Sequence, residues 1–334
     1  MMASIESNQK KQARPAYRDL PEYKDTGERH SWLLSGSQDE LGTLGLLTRT
    51  QVLRATKSVK TGESFSLNWE MELPNPPFFG RQTTRHTLLD IKDIHQGSDD
   101  IYDNYYSQSS SQWDALSHIG TPDNGTFYNG FSSDEVHRSS EMRLGIDNVG
   151  RRGITGRFVL LDLARYRNAI GKPVDFHSRD EFCVEDLNGA LELQGVSLEE
   201  GDILLIHSGW IAWYETLSSR ERIDISILSS RFEFKMPGLE PSKSTAEWLW
   251  DKGVAAAVSD LPGLESGPFD FSSFDGFLHY RLIPLLGLTI GEFFALGALA
   301  QACDIDHRYE GLFVAAPFNK HGGSGSPANA IAIR

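Results

Sequence analysis

Residues 108–118, QSSSQWDALSH, set two glutamines, an aspartate and a histidine at spacings of four, two and four in a serine-rich stretch. Every separation is even. Side chains of an extended segment alternate between faces with period two, so Gln108, Gln112, Asp114 and His118 share one face if the segment is a strand. Turned inward, four polar groups need partners, which a metal, a substrate or a proton relay would supply. Turned outward, they form a solvated loop that Trp113, Leu116 and Ile119 anchor on the core. Spacing alone leaves both readings open.

The flanking sequence favours a substantial interior. The chain has 334 residues, 39% hydrophobic and 10% aromatic, enough apolar material for a large core. Short apolar runs at Phe158–Ala164, Asp202–His207, Val254–Ser259, Leu312–Ala316 and Ala330–Arg334 read as buried strands that need cover on both faces. Helical patterns at Val184–Gln194, Pro241–Lys252 and Gly291–Ala302 supply that cover, and Gly253 is a natural helix stop. An α/β fold follows. The closing GGSGSPANAIAIR leads into a strand rather than a helix, which argues against a phosphate cradle. The polar residues 1–30 read as an extended N-terminal arm lying on a neighbouring subunit. With no linker or charge run to divide the remainder, residues 31–334 read as a single domain.

A formal charge of −14 repels phosphate backbones and anionic lipid, so nucleic acid and membrane are not expected partners. Cys183 and Cys303 are too few for a disulfide framework or a cysteine zinc site, which fits a reducing location. The N-terminal stretch lacks the apolar segment of a secretory signal, and no apolar run reaches the ~18 residues of a membrane span. A cytoplasmic protein is expected.

A second cluster lies downstream in FLHYRLIPLLGLTIGEFFALGALA, where His279 and Glu292 stand in surroundings uncharged apart from Arg281. Glu292 also fits a capping box, Thr289-Ile-Gly-Glu292, at the start of a helix. His279 reads equally as a hydrogen-bonded, half-buried histidine.

Together these residues resemble the cyclase family that includes bacterial kynurenine formamidases and isatin hydrolase. Its hallmark, H-x-G-T-H-x-D-x-P-x-H, aligns without a gap to Gln108-Ser-Ser-Ser-Gln112-Trp-Asp114-Ala-Leu-Ser-His118. Supporting similarity follows in the family's order: DELGTLGLLT, GIDNVGRRGITGRFVLLDLARY, GDILLIHSGW, MPGL, AEWLWDKGVAAAVSD, LHYRLIPLLGLTIGE and GGSGSP. The resemblance implies a swivelling β/β/α cyclase-like fold, with a mixed central sheet flanked by helices. It implies a divalent metal, Mn or Zn, with Asp114, His279 and Glu292 as ligands and Gln108 and Gln112 where the family has histidines. His118 becomes the general acid/base, with Asp114 as its catalytic partner. An amide oxygen is a harder, weaker donor than imidazole, so an oxygen-rich Mn-like site, a single metal on Asp114, His279 and Glu292, or no metal at all remain open. Leu116 replaces the hallmark proline, and Ser110 and Ser111 replace its glycine and threonine.

The expected activity is hydrolysis of an amide or ester bond, as in a lactone, cyclic amide or N-formyl group, of a small aromatic metabolite. Phe78, Phe79, Tyr105, Tyr106, Phe127 and Tyr128 are candidate pocket walls or ordinary core, and Trp113, inside the motif, is the expected substrate-binding residue. A metal-independent cyclase, isomerase or lyase, and a non-catalytic binding protein, are the competing readings. The family's habit of self-association implies a homo-oligomer.

Overall fold

The computed structural model describes residues 14–92 and 96–334. One curled, mixed sheet organises it, in the order Ser64–Ser66, Ala330–Ile333, Glu310–Ala315, Ile154–Asp162, Ile203–His207, Ala256–Ser259, Thr289–Glu292, Gln112–Asp114, Gly325–Pro327. The four strands from Ile154–Asp162 to Thr289–Glu292 run parallel to one another. Antiparallel strands extend the sheet on both sides.

The parallel strands are mostly apolar because both faces are covered. Along Ile154–Asp162, Val159 and Leu161 enter one core while Phe158 and Leu160 enter the other, as period-two alternation requires. Helices Val184–Gln194 and Lys243–Asp251 cover the first face with Leu187, Ala190, Ala246 and Leu249. Helices Ile146–Arg152 and Gly297–Asp306 cover the second with Ile146, Val149, Leu299 and Cys303. Each aliphatic side chain fully buried in this way contributes ~1.5–3 kcal/mol. All five expected strands are present, with ends shifted by a few residues. Val184–Gln194 is a helix over the expected span, and Lys243–Asp251 begins behind Ser242, whose hydroxyl accepts the Thr245 amide.

The third helix is corrected. Thr289–Glu292 is a strand, not a helix start, and the helix begins at Gly297. Parallel pairing with Ala256–Val258 and antiparallel pairing with Gln112–Trp113 override the local helical pattern. The capping box is absent, since Thr289 is buried in the sheet with its hydroxyl unpartnered. Gly291 fits this strand because a Cβ there would stand 2.6 Å from Phe294 and 2.9 Å from the Gln112 carbonyl oxygen.

Residues 14–30, expected as part of an arm on a neighbour, run over the chain's own body. Tyr17 and Leu20 join the first core, and the Trp250 indole N–H donates to the Pro15 carbonyl at 2.9 Å. Glu28 receives a two-pronged contact from the buried Arg281, at 2.7 and 2.8 Å. The start of the arm, residues 1–13, lies outside the described residues. A separate exposed ribbon pairs Arg85–Asp90 with Ser98–Asp103. Among the described residues no helix is long and apolar enough to cross a membrane.

Candidate metal and catalytic site

The site forms where Gln112–Asp114 lies beside the C-terminal end of Thr289–Glu292. Register sets Glu292 opposite Gln112 and Gly291 opposite Trp113. Alternation then sends Gln112 and Asp114 to one side and Trp113 to the other. The Gln112 side-chain amide donates to Glu292 Oε2 at 2.5 Å. The strand is only three residues long, so Gln108 and His118 reach their places through turns rather than along one extended face. After Asp114 the chain turns back, the His118 amide donating to the Ala115 carbonyl at 2.9 Å. This brings His118 Nε2 to 3.7 Å from Asp114 Oδ1.

His279 arrives from the segment before the helical turn Arg281–Leu285. Its Nε2 stands 3.2 Å from Glu292 Oε1 and 3.9 Å from Asp114 Oδ2. Its Nδ1 faces both oxygens of Glu265, at 2.8 and 2.9 Å, and its ring stacks on Phe277 at 4.2 Å. A carboxylate on Nδ1 fixes the imidazole and aims Nε2, the arrangement that orients metal-ligating histidines. Asp114, His279 and Glu292 are all buried, and one ligand atom from each lies within 4.8 Å of the others.

The electrostatics suit a cation. Burial pushes the Asp114 carboxyl above its ordinary range, and Glu292 adds to that push against His118 and His279. Burial alone would depress His279, but Glu265 and Glu292 hold it well above the usual imidazole value. Burial keeps His118 below that value, against the pull of Asp114, so the ring is neutral and able to accept a proton at neutral pH. Both oxygens of Asp114 and Oε1 of Gln112 are buried without a hydrogen-bond partner among the described residues. Unmatched buried acceptors are costly, and a divalent cation is a species that would satisfy them.

The structure therefore brings together Gln112, Asp114, His118, His279 and Glu292. Gln108 lies beside them, at Gly325, the strand partner of Asp114, and makes no hydrogen bond to the group among the described residues. That residue's Oε1 accepts from the Ser107 hydroxyl at 2.9 Å, and its amide nitrogen lies where a Cβ on Gly325 would come within 2.5 Å. Trp113, expected as a substrate wall, packs in the second core instead. Its indole N–H donates to the Ala328 carbonyl at 2.9 Å, and its ring meets Phe294 and Phe313 edge-on. Aromatic walls do occur nearby: a cavity of about 420 Å³ is lined by Trp69, Tyr105, Tyr106, Phe318 and the motif serines 110 and 111. Phe78, Phe127 and Tyr128 belong to the core.

Two further residues escaped sequence reasoning. Glu265 lies in LPGLESGP with no periodicity or motif to mark it, and its role exists only through His279. Arg81 lies ahead of the exposed ribbon, and its charge interacts with both Asp114 and Glu292. Neither has a local signal.

Comparison with known proteins bears on the family and the fold. The Cyclase family model, described as "Putative cyclase", matches residues 59–266, which include the Gln108–His118 motif and Glu265 but stop before His279 and Glu292. A crystal structure described as a novel cyclase superposes with a TM-score of 0.79 and 29% identity, covering 91% of this chain and 99% of that one. An isatin hydrolase bound to the product analogue thioisatinate superposes with a TM-score of 0.54 and 15% identity, covering 85% and 94%. Isatin hydrolase A from Labrenzia aggregata, bound to benzyl benzoate, gives 0.54 and 15%, covering 85% and 97%. A search of curated proteins finds no match. With more than half its length matched by the family model and its curled mixed sheet shared with a solved cyclase, the chain belongs to the Cyclase family.

Proposed function

We propose that the protein is a metal-dependent hydrolase that opens an amide or ester bond, as in a lactone, cyclic amide or N-formyl group, of a small aromatic metabolite. The observation that carries this reading is the buried Asp114 carboxylate, with both oxygens lacking a hydrogen-bond partner among the described residues, facing His279 and Glu292 on one side and His118 on the other. Asp114, His279 and Glu292 would hold the cation, with Gln112 Oε1 as a further oxygen donor. This oxygen-rich set with one imidazole favours Mn over Zn. When bound, a divalent cation polarises a carbonyl and lowers the pKa of water.

The chain's own residues supply the rest. His118, the one part-exposed imidazole at the cluster, takes the proton from the attacking water and returns it to the leaving nitrogen or oxygen. Glu265 keeps Nε2 of His279 turned toward the cluster. The aromatic cavity excludes water from an apolar ring.

The test combines metal analysis of gently purified protein with a screen of cyclic amides, lactones and N-formyl aromatics. Expected are near-stoichiometric metal, turnover lost on chelation and restored by Mn²⁺, and loss of turnover in Asp114→Asn and His118→Ala. Turnover undiminished by chelation would move the reaction to a metal-free Asp114–His118 acid–base pair. Turnover undiminished in both variants would overturn the enzymatic reading.

A further inference from the structure

Most arginines of the interior have carboxylate partners. Arg157 pairs with Asp202 and Glu310, Arg167 with Asp180 and Asp186, and Arg281 with Glu28 and Asp275. Arg81 is different. Its Nη1 donates to the Gln108 carbonyl at 2.6 Å, and its guanidinium carbon stands 5.2 Å from the centre of the Phe79 ring. The guanidinium makes no ion pair and no other hydrogen bond among the described residues.

A guanidinium carries five N–H donors in a planar fork and stays charged at any pH a protein survives. Here most of those donors are unused. Asp114 and Glu292 interact with the charge without pairing with it, and so does Tyr106, a wall of the aromatic cavity. Its anchor, the Gln108 carbonyl, lies between the cavity residues Ser107 and Ser110, and the Gln108 side chain reaches Gly325, the strand partner of Asp114. The fork therefore stands beside both cavity and cluster, anchored through one nitrogen and held over Phe79. That is the arrangement of a receptor for a planar anion, since two parallel N–H groups match the two oxygens of a carboxylate.

We propose that Arg81 binds a carboxylate on the molecule this site handles. The inference deepens the hydrolase reading and rests on it. The carboxylate has two sources: an acid group that the substrate already carries, or the acid that opening an ester or cyclic amide creates. In the first case Arg81 selects acidic substrates; in the second it holds the product.

The experiment titrates benzoate, with benzamide as its neutral counterpart, into full-length wild type, Arg81→Gln and Arg81→Lys by calorimetry. Each titration is run in chelator and in saturating Mn²⁺, with melting temperature as the control for folding. Wild type is expected to bind benzoate in preference to benzamide in both conditions. Arg81→Gln should weaken benzoate about ten- to a hundredfold while leaving benzamide unchanged. Arg81→Lys should fall between, keeping the charge and losing the fork, and it carries the test if Arg81→Gln folds poorly. Benzoate that binds only with Mn²⁺ and equally well to Arg81→Gln, or that does not bind wild type at millimolar concentration, overturns the proposal. With a substrate in hand, a raised KM confined to acidic substrates identifies the first source, and weakened product inhibition at unchanged KM the second; neither change overturns the assignment. Failure of every compound to turn over would sink the hydrolase reading while leaving the benzoate result standing.

Discussion

Replacing Asp114 by Asn should stabilise the metal-free protein and remove its response to metal. The wild-type carboxyl is 1% exposed, neither of its oxygens has a hydrogen-bond partner among the described residues, and Glu292 lies close by. A buried polar group left unsatisfied costs ~1–3 kcal/mol, and an amide removes the charge, so in chelator the variant should be as stable as wild type or more stable by up to that amount. In Mn²⁺ at a hundred times its dissociation constant, wild type gains ~2.7 kcal/mol, which the variant forgoes. One kcal/mol moves the melting temperature by ~2–4 °C in a chain of 150–250 residues and by less in a longer one, so the two curves should cross within a few degrees. The assay is thermal unfolding of both proteins with chelator and across a Mn²⁺ series. A variant several kcal/mol less stable in chelator, or one that gains as much from Mn²⁺ as wild type, would refute the assignment of Asp114 as a ligand.

Glu265→Gln should weaken Mn²⁺ binding by about 10- to 100-fold, the usual effect of losing the group that orients a ligand histidine; unchanged affinity by titration calorimetry would remove it from the site. Glu28→Gln should cost ~3–5 kcal/mol in urea unfolding, because it leaves the 2%-exposed guanidinium of Arg281 without its main counter-charge. For Asp123, burial pushes the carboxyl up, but hydrogen bonds from Lys24, Thr121 and Tyr23 outweigh it and hold the group well below the usual carboxylate range. Its folded value lies below its unfolded one, so its contribution is full at neutral pH and fades as pH falls below ~4. Asp123→Asn should therefore flatten the acid side of the plot of melting temperature against pH, and a slope equal to wild type would show the clasp to be idle. Burial pushes the Cys303 thiol up to about 12, so alkylation at pH 8 should label Cys183 alone until the protein unfolds, as mass spectrometry can read.

How much the sequence revealed depended on whether a residue's role is local. Three of the four parallel strands were legible because burial on both faces forces apolar runs such as Ile203–Leu-Leu-Ile206, whatever their neighbours. The end of Lys243–Asp251 was legible because its stop, the left-handed Gly253, is written in the chain itself. Glu292 was found as a site residue on the wrong element, since TIGE satisfies a capping rule and only pairing on both sides makes it a strand. Glu265 and Arg81 act through partners 14 and 27 residues away, His279 and the Gln108 carbonyl, and no spacing rule reaches that far. The even spacing from Gln108 to His118 predicted one extended face, but only Gln112 and Asp114 lie on a strand, and Gln108 and His118 approach from the flanking turns because the strand stops at three residues.

Trp113 has a consequence beyond its place in the core. Sliding the Gln112–Asp114 strand one position along Thr289–Glu292 would swing the indole among charged groups and drive a carboxylate in between Phe294 and Phe313. The large ring, packed in the second core, thus works as a keel, making that slip prohibitively expensive. A smaller residue at 113 would let the strand drift and blur the alignment of donor atoms across the seam, so the damage would first show as loose metal binding rather than altered chemistry.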